Sequence, residues 1–159
     1  MRFDRVKEPQ YGTAEVFAYF NEACQTAQLS EALVDKCLPG ELHRSHFYIL
    51  NHLVRGGDGQ TPLQITAAMQ VTKTTISHSL SVLEKRGFIE TRRSDIDARS
   101  KLVFITEAGR AFQKHVLDAV LTLYGSILNQ NDIQTMGETL PGLAAIRKRL
   151  AQSHAGRRA

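Results

Sequence analysis

Tryptophan is missing from this chain, and cysteine occurs only twice, at Cys24 and Cys37, which form no C-x-x-C pair. That usage excludes a disulfide-stapled scaffold and the paired-thiolate zinc motifs, and in a reducing compartment both thiols are expected to be free. No apolar run approaches the ~18 residues that a bilayer-spanning helix requires. The opening residues MRFDRVKEPQ lack the apolar core of a signal peptide, so the expected location is cytoplasmic. Frames for catalysis are also missing: there is no G-x-S-x-G, H-E-x-x-H, Walker loop or G-x-G-x-x-G. His43, His46, His52, His78, His115 and His154 and the many serines therefore define no nucleophile–base pair. The expectation is a protein that is not an enzyme and carries no cofactor. Neither an internal repeat nor a low-complexity segment interrupts the chain.

What is present is an ordinary globular composition, 42% hydrophobic and 23% charged, which argues against disorder. Its 159 residues fit one domain, or one domain plus oligomerisation elements. The formal net charge of +4 points weakly to a polyanionic partner, and its distribution points there more firmly. Between Thr72 and Lys101 stand seven Lys/Arg and four acids, a balance of +3 out of the total +4. Nearly all the excess positive charge sits in thirty residues.

The apolar spacing orders the elements. After a loose arm through residue 11, Val16/Phe17, Phe20, Ala23/Cys24, Ala27, Leu33/Val34 and Cys37 predict a long amphipathic helix over 12–38. Leu38-Pro39-Gly40 breaks it. A second helix is predicted over 41–55, with Leu42, Phe47, Leu50 and Val54 inward, ended by the flexible Gly56-Gly57-Asp58-Gly59. Thr61-Pro62 is an N-cap followed by proline at the first helical position, opening a short helix to Met69. Thr72 caps the next, TKTTISHSLSVLEKRG, in which Ile76, Leu80 and Leu83 recur at helical spacing before Gly87. From Phe88 the period changes to two: FIETRR (88–93) and KLVFIT (101–106) predict a hairpin with the polar tip SDIDARS. Thr106 caps a helix to about Asn129, with Phe112, Val116, Val120, Leu123 and Ile127 on one stripe. A last helix from Asn131 carries Ile133, Met136, Leu140, Leu143, Ile146 and Leu150, with a kink or break expected at Pro141-Gly142 and a frayed tail SHAGRRA.

A short helix, a tight turn, a second helix and a charged hairpin follow one another as in a winged helix-turn-helix. Six of the ten residues from Thr72 to Ser81 carry hydroxyls, which are poor helix formers. On a groove-facing helix the same side chains are useful. Hydroxyls, basic groups and first-turn amides hydrogen-bond phosphates and base edges, whereas long apolar side chains would be penalised there. Lys73, Thr74, Ser77 and His78 occupy the first two turns, where such a helix meets base edges. A hairpin tip carrying Arg suits an adjacent minor groove.

With these residues assembled, the sequence resembles the MarR family of bacterial transcription regulators, from about Leu38 to Gly109. Asp97-Ala98-Arg99 followed by Leu102 to Gly109 is similar to that family's D-x-R … L-T-x-x-G signature. Val71 to Ser77 and Leu83 to Ile89 are similar to its recognition-helix segments. Thr66 and Gln70 stand where the family usually has Ala and Gly, Ile105 where it has Leu, and His78 at a position often held by Arg. The resemblance implies a mainly α fold with a small β-hairpin wing, a winged helix-turn-helix flanked by long dimerisation helices. Its parts are an arm and dimerisation helix (1–40), a DNA-binding domain (41–106) and C-terminal dimerisation helices with the tail (107–159). It also implies a homodimeric repressor on a pseudo-palindromic operator, often released by a small ligand. The DNA-contacting set is then Thr72, Lys73, Thr74, Thr75, Ser77, His78, Arg92, Arg93, Arg99 and Lys101. In this scheme Arg99 enters the minor groove and Asp97 orients it by charge-assisted pairing.

The outer helices support the dimer independently, because they carry more apolar stripe than a small winged domain can cover. Two variants of the same fold stay open. A metal-responsive form would use Glu41, His43 and His46, with Cys24, Cys37 and His115 as further donors, although i,i+3 histidines without a second ligand pair are a weak signal. A thiol-responsive form would use Cys24 or Cys37. A winged helix used only for protein contacts is the alternative without DNA. An effector cleft is expected between the outer helices and the reading head, near Tyr19, His43, His46, Phe47 and Tyr48, residues that can equally be core.

Overall fold

The computed structural model describes residues 12–94 and 100–156, and so excludes both the arm before residue 12 and the hairpin tip 95–99. It contains six helices and one hairpin: α1 (Thr13–Lys36), α2 (Arg44–Gly56), α3 (Pro62–Met69), α4 (Lys73–Lys85), β1 (Ile89–Arg93), β2 (Lys101–Ile105), α5 (Glu107–Ile127) and α6 (Gln130–Gly156). The backbone divides into two compact units after Val120.

The first unit is organised around α2, α3, α4 and the hairpin. Ile49, Leu50 and Leu53 of α2, Ile65 of α3, Ile76, Leu80 and Leu83 of α4, and Ile89, Val103 and Ile105 of the hairpin form one buried cluster. Each large aliphatic side chain fully buried there contributes about 1.5–3 kcal/mol. On α2 the inward positions are His46, Phe47, Ile49, Leu50 and Leu53. Val54, expected inward, is 38% exposed. The stripe 46–49/50–53 runs one position earlier, and Leu53 takes the place expected for Val54.

The start of α2 also differs from expectation. The helix begins at Arg44 because His46 Nδ1 accepts the His43 amide at 2.9 Å, which makes His43 the N-cap. Buried Leu42 and Phe47 then occupy the two positions of a hydrophobic staple.

Local capping fixes the helix-turn-helix. Thr61 Oγ1 accepts the Gln64 amide at 3.2 Å while Gln64 Oε1 accepts the Thr61 amide at 2.8 Å, a complete capping box. The turn passes through Gln70 in the left-handed region (φ 54°, ψ 35°), the sole non-glycine residue with positive φ among those described. Thr72 Oγ1 accepts the Thr75 amide at 3.2 Å and opens α4 as expected.

The hairpin is antiparallel, in register from Ile89↔Ile105 to Arg93↔Lys101, with Ser94 donating to the Ser100 carbonyl at 3.0 Å beyond it. On its other edge, Val103 exchanges backbone hydrogen bonds with the α2–α3 loop: Gly59 donates to Val103 at 3.0 Å, and Val103 donates to Gln60 at 2.9 Å. Thr106 ties the end of β2 to the start of β1. Its amide donates to the Phe88 carbonyl at 3.0 Å, and its hydroxyl donates to the Gly87 carbonyl at 2.7 Å. That same hydroxyl accepts the Gly109 amide at 3.0 Å, capping α5. Gly109 packs so closely that a Cβ there would stand 2.0 Å from the Phe88 carbonyl oxygen. Phe88 and Phe112 stack alongside, centroids 4.6 Å apart.

In the second unit, α6 is capped reciprocally. Asn129 Oδ1 accepts the Asn131 and Asp132 amides at 2.8 and 3.1 Å, and Asp132 Oδ2 accepts the Asn129 amide at 2.9 Å. The helix runs as a single element past Pro141 to Gly156, so the expected break is absent and part of the tail is helical. Proline costs the helix one amide hydrogen bond, and its ring meets the carbonyl of position i−4. Here the long, well-capped helix on either side outweighs that loss. The apolar residues of α6 are largely uncovered: Ile133, Met136, Leu140, Leu143 and Leu150 are all exposed. Val16, Phe17 and Leu29 of α1 are likewise exposed in the first unit. No helix of the described residues is long and apolar enough to cross a membrane.

Candidate nucleic-acid interface

Helix α4 turns Ile76, Leu80 and Leu83 into the core and leaves Lys73, Thr74, Thr75, Ser77, His78 and Ser81 exposed on its other side. The hydroxyls are not equivalent. Those of Thr72 and Thr75 lie 2.8 Å apart and are engaged in the cap. Ser79 is 2% exposed and donates to Ser45 of α2 at 3.4 Å, a small polar contact behind the helix. The groups left open are Lys73, Thr74, Ser77, His78 and, not singled out from sequence, Ser81.

The expected hairpin residues also divide. Arg92 lies over the Phe104 ring, 4.7 Å from its centroid, and forms an ion pair with Glu90. An exposed cation–π contact is worth about 0.5–1 kcal/mol, so this guanidinium is partly held in place. Arg93 and Lys101 are exposed and face each other in register at the distal end of the strands. Asp97 and Arg99 lie outside the described residues. Lys101 and Ser100 approach the start of α3, where with Thr61, Pro62 and Leu63 they line an open cavity of about 340 Å³.

The wing is held to the head by Asp58, within the stretch 56–59 that sequence reading treated as a flexible turn, and by Gln60 beside it. Asp58 Oδ1 accepts the Ile105 amide at 2.9 Å, and its other oxygen pairs with Arg110 of α5. Gln60 Oε1 accepts from His52 Nε2 at 2.8 Å, and the Gln60 side-chain nitrogen donates to the Gly57 carbonyl at 2.9 Å. An acid and an amide set among three glycines was the available signal. The glycines bend the chain, and the two polar side chains fasten it.

The expected effector residues are only partly gathered. Phe47 is core at 4% exposure and Tyr19 is exposed. Among the five, His43 alone lines the cavity of about 450 Å³ formed with Asp35, Leu38, Gly40, Leu42, Arg44 and Ser45. Arg44 there bonds Asp35 at 2.6 Å and Glu31 at 3.2 Å, which holds its guanidinium still more firmly charged. Among the described residues no group of three or more His, Cys, Asp or Glu is placed to hold a metal ion. His46 Nδ1, one of the expected donors, is occupied by the His43 amide.

Two helices joined by a tight turn, a hairpin pinned to them along one edge and an open polar face on the second helix define a winged helix-turn-helix. Residues 41–100 match the model of the MarR family. The fold as a whole is similar to solved structures of modest identity. The transcriptional regulator BldR from Sulfolobus solfataricus is 22% identical, with a TM-score of 0.77 over 88% of this chain and 99% of its own. Sco3205, a MarR family transcriptional regulator from Streptomyces coelicolor solved in complex with DNA, is 21% identical (TM-score 0.63; 87% and 91% covered). Bordetella bronchiseptica BpsR, described for regulation of its DNA binding by 6-hydroxynicotinic acid, is 18% identical (TM-score 0.66; 80% and 98% covered).

Proposed function

We propose that this chain is a sequence-specific DNA-binding transcription regulator, acting as a homodimeric repressor on a pseudo-palindromic operator and released by a small ligand. The observation that carries the reading is the outer face of α4, where Lys73, Thr74, Ser77 and His78 stand open with no large apolar side chain among them. These side chains read base edges in the major groove. Arg93 and Lys101 at the end of the hairpin neutralise adjacent phosphates, and Arg99, with Asp97 orienting it, reads the minor groove. Thr72 and Thr75, held in the cap, offer their first-turn backbone amides to phosphate. Arg92, held over Phe104, supports the hairpin and contacts phosphate from its exposed edge. The uncovered stripes of α1 and α6 are the surfaces through which two copies pair. The cavity beside Arg44 suits a small anionic ligand able to compete with Asp35 and Glu31.

Selection of bound duplexes from a random DNA pool tests this reading. The expected product is an inverted repeat with half-sites about one helical turn apart, bound with affinity that falls steeply between about 50 and 200 mM salt. Arg99→Ala should weaken binding to all sequences, and Ser77→Ala should change which are preferred. Recovery of no enriched sequence, with salt-insensitive retention, would leave a winged helix serving protein contacts instead.

A further inference from the structure

His46 sits at the third position of α2 and is 2% exposed. Its Nδ1 accepts the His43 amide, so the neutral ring carries its proton on Nε2. That Nε2 is buried with no hydrogen-bond partner among the described residues. The titratable groups that influence it are of one sign: His43, its ring stacked 5.8 Å away in the N-cap, and His78 and Arg86 from α4. The nearby acids are directed elsewhere, Glu41 to Arg86 at 3.7 Å, and Glu31 and Asp35 of α1 to Arg44. Burial first, then these neighbours, holds the imidazole below the ordinary histidine value.

We propose that His46 is a positioning residue for the reading helix: as a neutral imidazole it seats the first turn of α2 against α4, and its protonation unseats that helix and weakens DNA binding. The inference rests on the DNA-reading role given to α4 above. A second proton can be added only at Nδ1, the atom that accepts the His43 amide. Protonation turns that acceptor into a donor facing a donor, frees an orphan amide of the helix start and leaves a cation buried beside Arg86 and His78. Relief comes from turning the ring out to water, which opens the α2–α4 seam where Ser45 and Ser79 meet at 3.4 Å. Residues 77 and 78 stand on the far side of the same turns of α4. His78 is a second imidazole, exposed on the face given to DNA.

The test therefore uses the His78→Gln chain and a duplex from the selection above, with affinity and thermal midpoint measured at several pH values from about 7.5 to 5.5. A folded-state value below the unfolded one makes the stabilisation complete above about pH 6.5 and progressively lost below it, as the unfolded chain takes up a proton that the folded ring refuses. Affinity is expected to fall by more than about threefold across the range, together with the thermal midpoint, as the protonated fraction grows. His46→Gln in the same background retains the cap, because glutamine at this position accepts the N-cap amide and does not titrate. Its affinity should change by less than about threefold, and its midpoint should stay level. Equal acid losses in both chains would overturn the proposal. If His46→Gln fails to fold, the NMR titration of the His46 ring in the His78→Gln chain decides: a midpoint well below 6.5 supports the proposal, and one at or above 6.5 overturns it. Absence of binding to any duplex at any pH would refute the DNA reading, while the midpoint and ring titration would still report on the seam.

Discussion

Gln70 shows how one residue carries a local conflict in the helix-turn-helix. The turn between α3 and α4 needs a left-handed residue, and glutamine meets that need at φ 54°. For a residue with a Cβ this region costs roughly 1–2 kcal/mol, whereas glycine enters it freely but gives up about 0.5–1 kcal/mol of unfolded-chain entropy. Gln70→Gly should therefore stabilise the fold by about 0.5 kcal/mol, raising the thermal midpoint by roughly 1–2 °C in a chain of this size. A fall in midpoint would show that the Gln70 side chain makes compensating contacts. That glutamine occupies this turn is plain from the sequence, but its backbone angle belongs to the geometry of the two helices it joins. His46 shows the same division. Its place three residues after His43 is legible, yet its burial, its tautomer and the basic residues around it depend on α4, more than thirty residues further on.

At the scale of elements, the head and wing are fastened at a few backbone points. Thr106 and Gly109 lock the start of α5 onto the Phe88 carbonyl, and Asp58 and Gln60 hold the opposite edge of the hairpin. Gly109→Ala should destabilise by about 2–3 kcal/mol, because its Cβ would meet backbone 2.0 Å away rather than a flexible side chain. Chemical denaturation would reveal a midpoint shift of that size with an unchanged slope, and an unaltered midpoint would mean that α5 slides without cost. The elements themselves were largely legible. Helical periodicity, Thr61-Pro62, Thr72 and the change to period two located α3, α4 and both strands to within a residue or so. Two features were not legible. The fastening through Asp58 pairs residues 47 and 52 positions apart, beyond any local pattern. The continuity of α6 through Pro141 depends on the strength of the whole helix rather than on the proline.

For the whole molecule, the uncovered apolar stripes matter most. Ile133, Met136, Leu140 and Leu143 recur at spacings of three and four along α6, as in a helix that packs against another helix. We expect a dimer mass at micromolar concentration in sedimentation, and Met136→Glu with Leu140→Glu should shift the mass toward monomer and weaken operator binding together. A monomeric parent chain at that concentration would rule out pairing, and binding that survives in the monomer would separate pairing from DNA recognition.

The sequence by itself determined the order and approximate extent of the elements, the cap residues and the concentration of positive charge between Thr72 and Lys101. These follow from short-range physics, namely periodicity, capping and composition, which a linear chain displays. Tertiary structure alone decided which hydroxyls of α4 stay open and which serve the cap or the seam behind it. It alone decided that Arg92 rests on Phe104, that His43 lines a cavity while Phe47 is core, and that His46 is buried. Each of these depends on which groups lose water when distant segments meet, and desolvation is a property of the packed molecule.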